Sequence, residues 1–233
     1  MLPRLSLIFL SLIASCTFAA RPGLYLGGQA GWGNVHDSGI SEGDMGHMIG
    51  EALGEFNFTI NSFNGTTSDS GFAWRVYGGY QIGYNWAVEA GWAQYSNLSI
   101  DATAAGIDNA TGVPYTVGTS SGIFKTTAFD VVGKYMYAIP YFCPLHIFGT
   151  LGLAFVTGHT EPVMAVTEAG IVSGGEDVIT ATKVYPTFGI GLSYDLRNDI
   201  SADLFYSRIQ KVGDSDHLGS IDMVTLGMAL HFG

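Results

Sequence analysis

The sequence predicts an all-β fold, an eight-stranded antiparallel transmembrane up-and-down β-barrel. Three observations lead to this fold class: apolar and polar residues alternate along eight segments, the connections alternate in length, and aromatic residues collect at segment ends. Because side chains on a strand point alternately to its two faces, each segment has one apolar face and one small or polar face. A barrel in a membrane places the apolar face on lipid and the polar face in the lumen.

The clearest alternation lies between residues 71 and 96. Every second residue of Phe72–Tyr84 is apolar or glycine, whereas the residues between them are small or polar and include Arg75. The pattern resumes after Asn85. A soluble sandwich could bury such an apolar face, but aromatic residues at strand ends are typical of membrane barrels. We therefore interpret this stretch as a hairpin in the barrel wall.

Six further segments show the same pattern, which with the two strands of the hairpin makes eight strands. A closed bacterial barrel requires such an even number. Their outward positions are mainly Leu, Val, Ile, Phe and Tyr. Pro186 falls inside the sixth strand and cannot donate a backbone hydrogen bond, so we expect a bulge or locally weak pairing there. Around the hairpin, the predicted strands are Gly23–Gly33, Phe124–Ile139, Leu145–Thr157, Lys183–Asp195, Ile200–Arg208 and Asp222–Phe232.

The connections between these strands alternate in length. Those after strands two, four and six are short, and those after strands one, three, five and seven are long. Outer-membrane barrels have short periplasmic turns and longer external loops, whereas a soluble sandwich has no reason to sort loops by parity. We expect a bacterial outer-membrane location, with both termini periplasmic. The four long connections are Asn34–Ser70, Asn97–Gly122, Gly158–Thr182 and Ile209–Ile221.

Aromatic residues on the outward face are predicted to form two girdles, one at each membrane interface. Such rings are amphipathic and suit the headgroup level of a bilayer. The predicted girdle residues are Tyr80, Tyr84, Trp86, Tyr135, Tyr137 and Tyr194 toward the short turns, and Trp32, Trp74 and Trp92 toward the long loops.

Five charged residues fall on inward positions: Arg75, Glu89, Asp130, Lys134 and Asp203. A barrel of eight strands is just wide enough for its own side chains to fill it. A buried charge without a partner is costly, so these groups are expected to pair and plug the lumen. Counting from the short turns, we expect Lys134 to bridge Glu89 or Asp203, and Arg75 to lean toward Asp130.

The first twenty residues have the features of a cleaved secretory signal, which leaves residues 21–233 as a single barrel domain. Arg4 supplies positive charge, residues 5–14 are apolar, and small residues precede Arg21. An alternative is lipidation at Cys16, whose preceding residues resemble a lipobox. No later run of about eighteen apolar residues predicts a spanning helix.

The net charge of −11 makes nucleic acid a poor partner. Much of the negative charge lies in the long connections, and residues 34–70 hold six carboxylates without a lysine or arginine. Three interpretations stay open: a solvated acidic surface, a divalent cation shared with lipopolysaccharide, or a basic host ligand. No cofactor or dedicated metal site is expected, since no calcium-binding loop motif is present.

Three motifs resemble the OmpA-type and opacity-protein-type eight-stranded barrels of Gram-negative bacteria. They are GGYQIGYNWAVEAGW at residues 78–92, DVVGKY at 130–135 and GLSYDL at 191–196. The resemblance implies an outer-membrane lipid and lipopolysaccharide environment and assembly by the barrel-assembly machinery. The family's assembly signal usually ends on an aromatic residue, but in this chain Gly233 follows the aromatic Phe232. The residues that resemble this signal are Val224, Leu226, Met228, Leu230 and Phe232.

A non-enzymatic function is expected. Ser215 and His217 lie close together in the fourth long connection, but nothing in the sequence orients the histidine as a base. His146 and His231 are expected at the short-turn end, facing the lumen. The expected function is that of a monomeric surface antigen, adhesin or envelope-stabilising protein acting through its acidic loops, and host surface or matrix molecules are candidate ligands. The alternative is a narrow porin-like channel for ions or small solutes.

Overall fold

The computed structural model describes residues 22–36, 58–68, 70–95, 98–140, 144–160, 163–167, 170–174, 180–212 and 219–232. Within these residues no helix is long and apolar enough to cross a bilayer. The strands are β1 (Gly23–His36), β2 (Phe58–Ser68), β3 (Ser70–Ile82), β4 (Trp86–Gln94), β5 (Leu98–Asp108), β6 (Pro114–Ala138), β7 (Leu145–Thr160), β8 (Val163–Thr167), β9 (Gly170–Gly174), β10 (Thr180–Arg197), β11 (Ile200–Ile209) and β12 (Ser220–Phe232).

Eight of these strands close into a barrel. In order around the wall they are β6, β4, β3, β1, β12, β11, β10 and β7, and β7 pairs back onto β6. Every pairing is antiparallel, and the β1–β12 register is unbroken from Leu24↔Phe232 to His36↔Ser220. The predicted eight-stranded antiparallel barrel is therefore confirmed.

The alternation in sequence corresponds to the two faces of the wall. In β4, Ala87, Glu89 and Ala93 are buried in the lumen, whereas Trp86 and Trp92 are exposed on the outside. Exposed Leu, Val, Ile and aromatic side chains continue around every barrel strand. Soluble monomers rarely expose a contiguous apolar surface of this extent, so this band requires lipid around it.

The long connections contain strands of their own. β2 pairs with β5, β5 pairs with β6, and β8 pairs with both β6 and β9. Strand β6 begins at Pro114, ten residues before the predicted start at Phe124. The difference arises because backbone pairing continues beyond the membrane, where the lipid no longer imposes alternation of apolar and polar residues.

Pro186 causes no bulge. It sits opposite Leu153 in an unbroken β10–β7 register, and its carbonyl accepts a 2.9 Å hydrogen bond from the amide of Gln210. The β10–β11 ladder begins one residue later, at Thr187, so the missing donor falls at the end of that ladder. The register shift in this pair lies instead at the short-turn end, between Asp195 and Arg197.

A three-residue turn joins β3 to β4. Gly83 has φ of +68°, a left-handed conformation that glycine adopts without steric cost. The turn is tied to β6, because Asn85 Nδ2 donates to the carbonyl of Met136 at 2.9 Å, and the Met136 amide donates to the Asn85 carbonyl at 2.7 Å. These bonds fix the short-turn rim on this side of the barrel.

Candidate functional site: the barrel lumen

Four charged side chains at mid-height form what we call the ionic layer: Arg75, Glu89, Asp130 and Lys134. Arg75 binds Asp130 in a bidentate manner, with Nε–Oδ2 at 2.9 Å and Nη2–Oδ1 at 2.5 Å. Lys134 Nζ lies 3.0 Å from Glu89 Oε1, and Arg75 Nη1 lies 3.5 Å from Glu89 Oε2. Glu89 therefore links two ion pairs into one network, and all four residues are buried.

The ionic layer is built on three neighbouring strands, β3, β4 and β6. The register places Gly91 of β4 opposite both Tyr77 of β3 and Asp130 of β6. The guanidinium of Arg75 lies over Gly91, where an added Cβ would be 2.5 Å from Nε. Glycine at this position is what allows the arginine to reach its carboxylate partner.

Two tyrosines extend the ionic layer toward the far wall. The hydroxyl of Tyr25 donates to Glu89 Oε1 at 2.9 Å, and the rings of Tyr25 and Tyr77 meet edge to face at 6.4 Å. Each ring occupies the space over a glycine, Tyr25 over Gly79 and Tyr77 over Gly27, and a Cβ added to either glycine would lie 2.4 Å from the ring. Inward glycines thus make room for large side chains inside a narrow barrel.

Asp203 does not join the lysine. Its Oδ2 accepts a hydrogen bond from Tyr77 at 3.0 Å, and its buried Oδ1 has no hydrogen-bond partner among the residues that the structure describes. Of the two carboxylates expected to meet Lys134, the structure brings only Glu89 to it. The ammonium of Lys134 also lies 4.1 Å from the ring centroid of Phe148, a cation–π contact.

Toward the long-loop end the lumen is mainly apolar, although Thr187 and Ser207 point inward there beside Ile209 and Met223. We call the apolar residues of this level the apolar layer. Its ten residues form one buried cluster, with Val35 packed against it. The sequence pattern placed Ile209 and Ile221 at the ends of a loop, but they face each other across β11 and β12 as one further rung of the ladder. The layer consists of Ala73, Ala93, Tyr95, Ala128, Ala154, Val156, Tyr185, Ile209, Ile221 and Met223.

At the opposite end of the lumen, between the ionic layer and the short turns, lies a cavity of about 290 Å³. Its wall includes His146 and His231, as expected from the sequence, and also Asp195 and Ser201, which sequence reasoning did not single out. His146 Nδ1 lies 3.8 Å from Asp195 Oδ2, and His231 Nε2 lies 3.2 Å from Ser201 Oγ. Lys134 and Asp203 line the same cavity.

The outer surface carries the aromatic residues expected in the girdles. Trp86 and Tyr135 are cross-strand partners whose rings meet at 4.8 Å, and Trp92 lies opposite Phe129. Trp74 is half-buried, and the other eight are exposed: Trp32, Tyr80, Tyr84, Trp86, Trp92, Tyr135, Tyr137 and Tyr194.

The outward residues of β12 form a continuous apolar row beside β1. Leu230 lies opposite Leu26, and Phe232 lies opposite Leu24. Their side chains are between 42% and 70% exposed, which places them on the lipid side: Val224, Leu226, Met228, Leu230 and Phe232.

Several sequence-based expectations fall outside the described residues: the signal segment with Cys16, the pair Ser215 and His217, and Gly233. The acidic side chains of the long connections are likewise not among the described side chains. Within the part of the chain that the structure describes, no group of three or more His, Cys, Asp or Glu residues is placed to hold a metal ion.

Comparisons with known proteins agree with this architecture. The family model for the OmpA-like transmembrane domain matches residues 19–233. An uncharacterized protein of Coxiella burnetii is 30% identical over 229 residues, covering 90% of this chain and 85% of the relative. Outer membrane protein A of Klebsiella pneumoniae is 25% identical over 212 residues; 90% of this chain aligns with 51% of that protein, so the chain spans about half its length. Neisserial surface protein A shares the fold, with a TM-score of 0.53, 14% identity, and coverage of 90% of this chain and 97% of that one.

Proposed function

The chain belongs to the OmpA-like transmembrane domain family, and on that premise we propose that it is a non-enzymatic outer-membrane surface protein. In this proposal its acidic long connections are external loops that act as a surface antigen or adhesin, or that stabilise the envelope. The barrel holds these loops at one end of a rigid wall. Function at the loops agrees with the general rule that connections on a fixed scaffold carry recognition.

The observation that carries this proposal is the filled lumen. The ionic layer and the apolar layer lie one above the other, and their side chains are buried. A barrel closed at two levels favours a role at its surface over transport through its centre. The contact between the Ser201 hydroxyl and His231 does not support hydrolysis, because no group among the described residues hydrogen-bonds Nδ1 of His231 and orients the ring as a base.

In the proposed orientation the long connections are external, and both termini and the short turns are periplasmic. The alternation of connection lengths supports this orientation. An epitope tag within residues 37–57 should stain on intact cells, whereas a tag at Cys143 should stain only after permeabilisation. If only the tag at Cys143 stained on intact cells, the orientation would be the opposite one, with the short turns external.

The surface role is tested with paired bacterial strains that express or lack the protein. We expect cells with the protein to bind host cells or matrix proteins more strongly, and exchange of the carboxylates in residues 34–70 for amides to remove the difference. Equal binding by both strains, with surface expression verified by the loop tag, would exclude adhesion. Envelope stabilisation would then be the remaining role, and it is measured by comparing the detergent sensitivity of the two strains.

A narrow channel is the second candidate, favoured by the polar cavity that leads from the short turns to Lys134. Planar-bilayer recording of the purified barrel separates the two. We expect no steady conductance at the level of a general porin, because buried side chains fill the lumen at the level of the apolar layer. Steady conductance at that level would favour the channel function over the surface function and would show that the lumen is open.

The proposed partners are outer-membrane lipid, lipopolysaccharide and the barrel-assembly machinery, with the protein as a monomer. The outward row of β12 ending at Phe232 supports recognition by the assembly machinery. Phe232→Ala should lower the amount of folded, heat-modifiable protein in the outer membrane. Leu24→Ala, at the opposing position on β1, serves as the control for a simple loss of lipid contact.

A further inference from the structure

A group of polar side chains lies on the outer face of the barrel where β11, β12 and β1 run side by side. The neighbours of Asp222 in the chain, Ile221 and Met223, are buried in the lumen, so alternation places Asp222 on the outer face. Arg208 is its partner on β11, and His36 lies one diagonal step away on β1. We call this group the seam cluster, and its members are His36, Tyr206, Arg208 and Asp222.

The seam cluster lies at the edge of the exposed apolar band. Tyr206, Val224 and Trp32 form one rung across the three strands, and Val224 and Trp32 are exposed on the lipid side. The next rung toward the long connections is polar and consists of Arg208, Asp222 and Asn34. A change from apolar to polar side chains on the outer face of a membrane barrel marks the level of the lipid headgroups.

The carboxylate of Asp222 holds the seam cluster together. Its Oδ1 accepts a 2.7 Å hydrogen bond from the Tyr206 hydroxyl, and its Oδ2 lies 2.9 Å from Nε2 of His36 and 3.4 Å from Nη1 of Arg208. Both basic side chains therefore flank the same oxygen atom. They also reach the surface, because the side chain of Arg208 is 33% exposed and that of His36 is 42% exposed.

The seam cluster has donors to offer to an anion. Arg208 has five N–H donors, and its hydrogen bonds to Gln210 and Asp222 use two of them. A protonated His36 has a second donor in Nδ1, besides the nitrogen that faces Asp222. In that state one carboxylate faces two cations, so the cluster is positive on a chain whose formal net charge is −11.

We propose that the seam cluster binds the phosphate group of a lipid headgroup in the leaflet at the long-loop end, with Arg208 and His36 as donors. Arginine suits phosphate because its planar N–H groups match the phosphate oxygens. This inference rests on the proposed function, since it gives a site to the membrane lipid proposed there as a partner.

The distribution of charge favours a lipid over a soluble phosphate compound. A soluble anion would approach past the acidic long connections, and residues 34–70 alone hold six carboxylates without a lysine or arginine. A lipid reaches the cluster from the membrane side instead, with its acyl chains against the exposed side chains of Trp32 and Val224. Its phosphate then lies at the level of Arg208, where the apolar band ends.

The test uses the purified, isotopically labelled barrel in dodecyl maltoside micelles, which contain no phosphate, titrated with dihexanoyl phosphatidate. We expect saturable NMR shifts at the backbone amides of Asn34 and Asp222. Dihexanoylglycerol controls for the chains without the phosphate, and inorganic phosphate controls for the phosphate without the chains; neither should give saturable shifts. The titration does not depend on which end of the barrel is external or on adhesion, so its failure is distinct from failure of the proposed surface role.

Substitutions on the outer face identify the donors. Arg208→Gln should raise the Kd for phosphatidate by about tenfold or more. Arg197→Gln is the matched control and should leave the Kd unchanged, because Arg197 is an exposed arginine paired with Asp199 at the short-turn end. Asp222→Asn should lower the Kd, since it removes the carboxylate that competes with phosphate for both basic side chains.

Heat-modifiable gel mobility shows whether each variant folds. If Arg208→Gln does not fold, His36→Gln replaces it and should raise the Kd several-fold. The proposal is overturned by absent or non-saturable shifts, or by an equal response to dihexanoylglycerol or inorganic phosphate. An unchanged Kd after loss of the basic side chain, or a higher Kd in Asp222→Asn, overturns it as well.

Discussion

The ionic layer and the apolar layer fill the same lumen in opposite ways. In the ionic layer, buried charges are balanced by specific partners, such as the bidentate contact of Arg75 with Asp130. In the apolar layer, Val156, Ile221 and Met223 fill the space by shape alone. Breaking a buried ion pair costs roughly 3–5 kcal/mol whatever the exact fit, because a charge without a partner stays in a medium of low dielectric. The cost of truncating an apolar side chain instead grows with the volume of the cavity that it leaves. The two layers should therefore respond differently to substitution.

The largest expected effect is that of Arg75→Leu. It leaves Asp130 without its cation and weakens the balance at Glu89, so the free energy of unfolding should fall by roughly 3–5 kcal/mol. Urea titration in detergent micelles, followed by heat-modifiable gel mobility, measures the change. Arg208→Leu is the matched control, because its pair with Asp222 at 3.4 Å is partly exposed and should contribute at most about 1 kcal/mol. Equal losses in both variants would contradict a special role for the ionic layer.

In the apolar layer, Ile221→Ala should lower the free energy of unfolding by about 3 kcal/mol. The side chain is 1% exposed, so its truncation leaves a cavity that the wall cannot collapse to fill. Ile221→Val, which removes one methylene, should cost only about 1 kcal/mol. A graded series of this kind indicates packing by shape, whereas identical losses for both substitutions would argue against it.

Gly91→Ala should transmit a packing change to the ionic layer. The added methyl would lie 2.5 Å from Nε of Arg75, so the guanidinium must move away from Asp130, at a cost of roughly 1–3 kcal/mol. Gly28→Ala is the control, since an added Cβ there meets nothing within 4 Å. If both alanine variants unfold at the same urea concentration, close approach at Gly91 is not required.

The last expected effect, similar in size to that of Gly91→Ala, is the coupling between Lys134 and Glu89. Lys134→Ala and Glu89→Gln should each destabilise the barrel, but together they should cost about 1–3 kcal/mol less than the sum of the single changes. The double variant removes the lysine charge and its carboxylate partner together, while Arg75 keeps Asp130. Strict additivity in the double-mutant cycle would show that the 3.0 Å contact contributes no interaction energy.

Much of the wall could be predicted from the sequence because the direction of a side chain on a strand is a local property. The inward positions of Arg75, Glu89, Asp130, Lys134 and Asp203 follow from alternation, and all five are buried in the lumen. Strand number follows from the same pattern together with the alternating lengths of the connections. The strands within the long connections were missed because alternation of apolar and polar residues weakens beyond the lipid, although backbone pairing persists there.

By itself, the sequence determined the faces of the strands, the even strand number and the set of charges inside the barrel. Only the tertiary structure decided which of these groups meet, because contacts across the lumen depend on register and on residues far apart in the chain. Tyr77 reaches Asp203 across 126 positions of sequence because Gly27 leaves room for its ring. Ile209 and Ile221 become part of a packed layer because their strands pair for one rung more than alternation predicts.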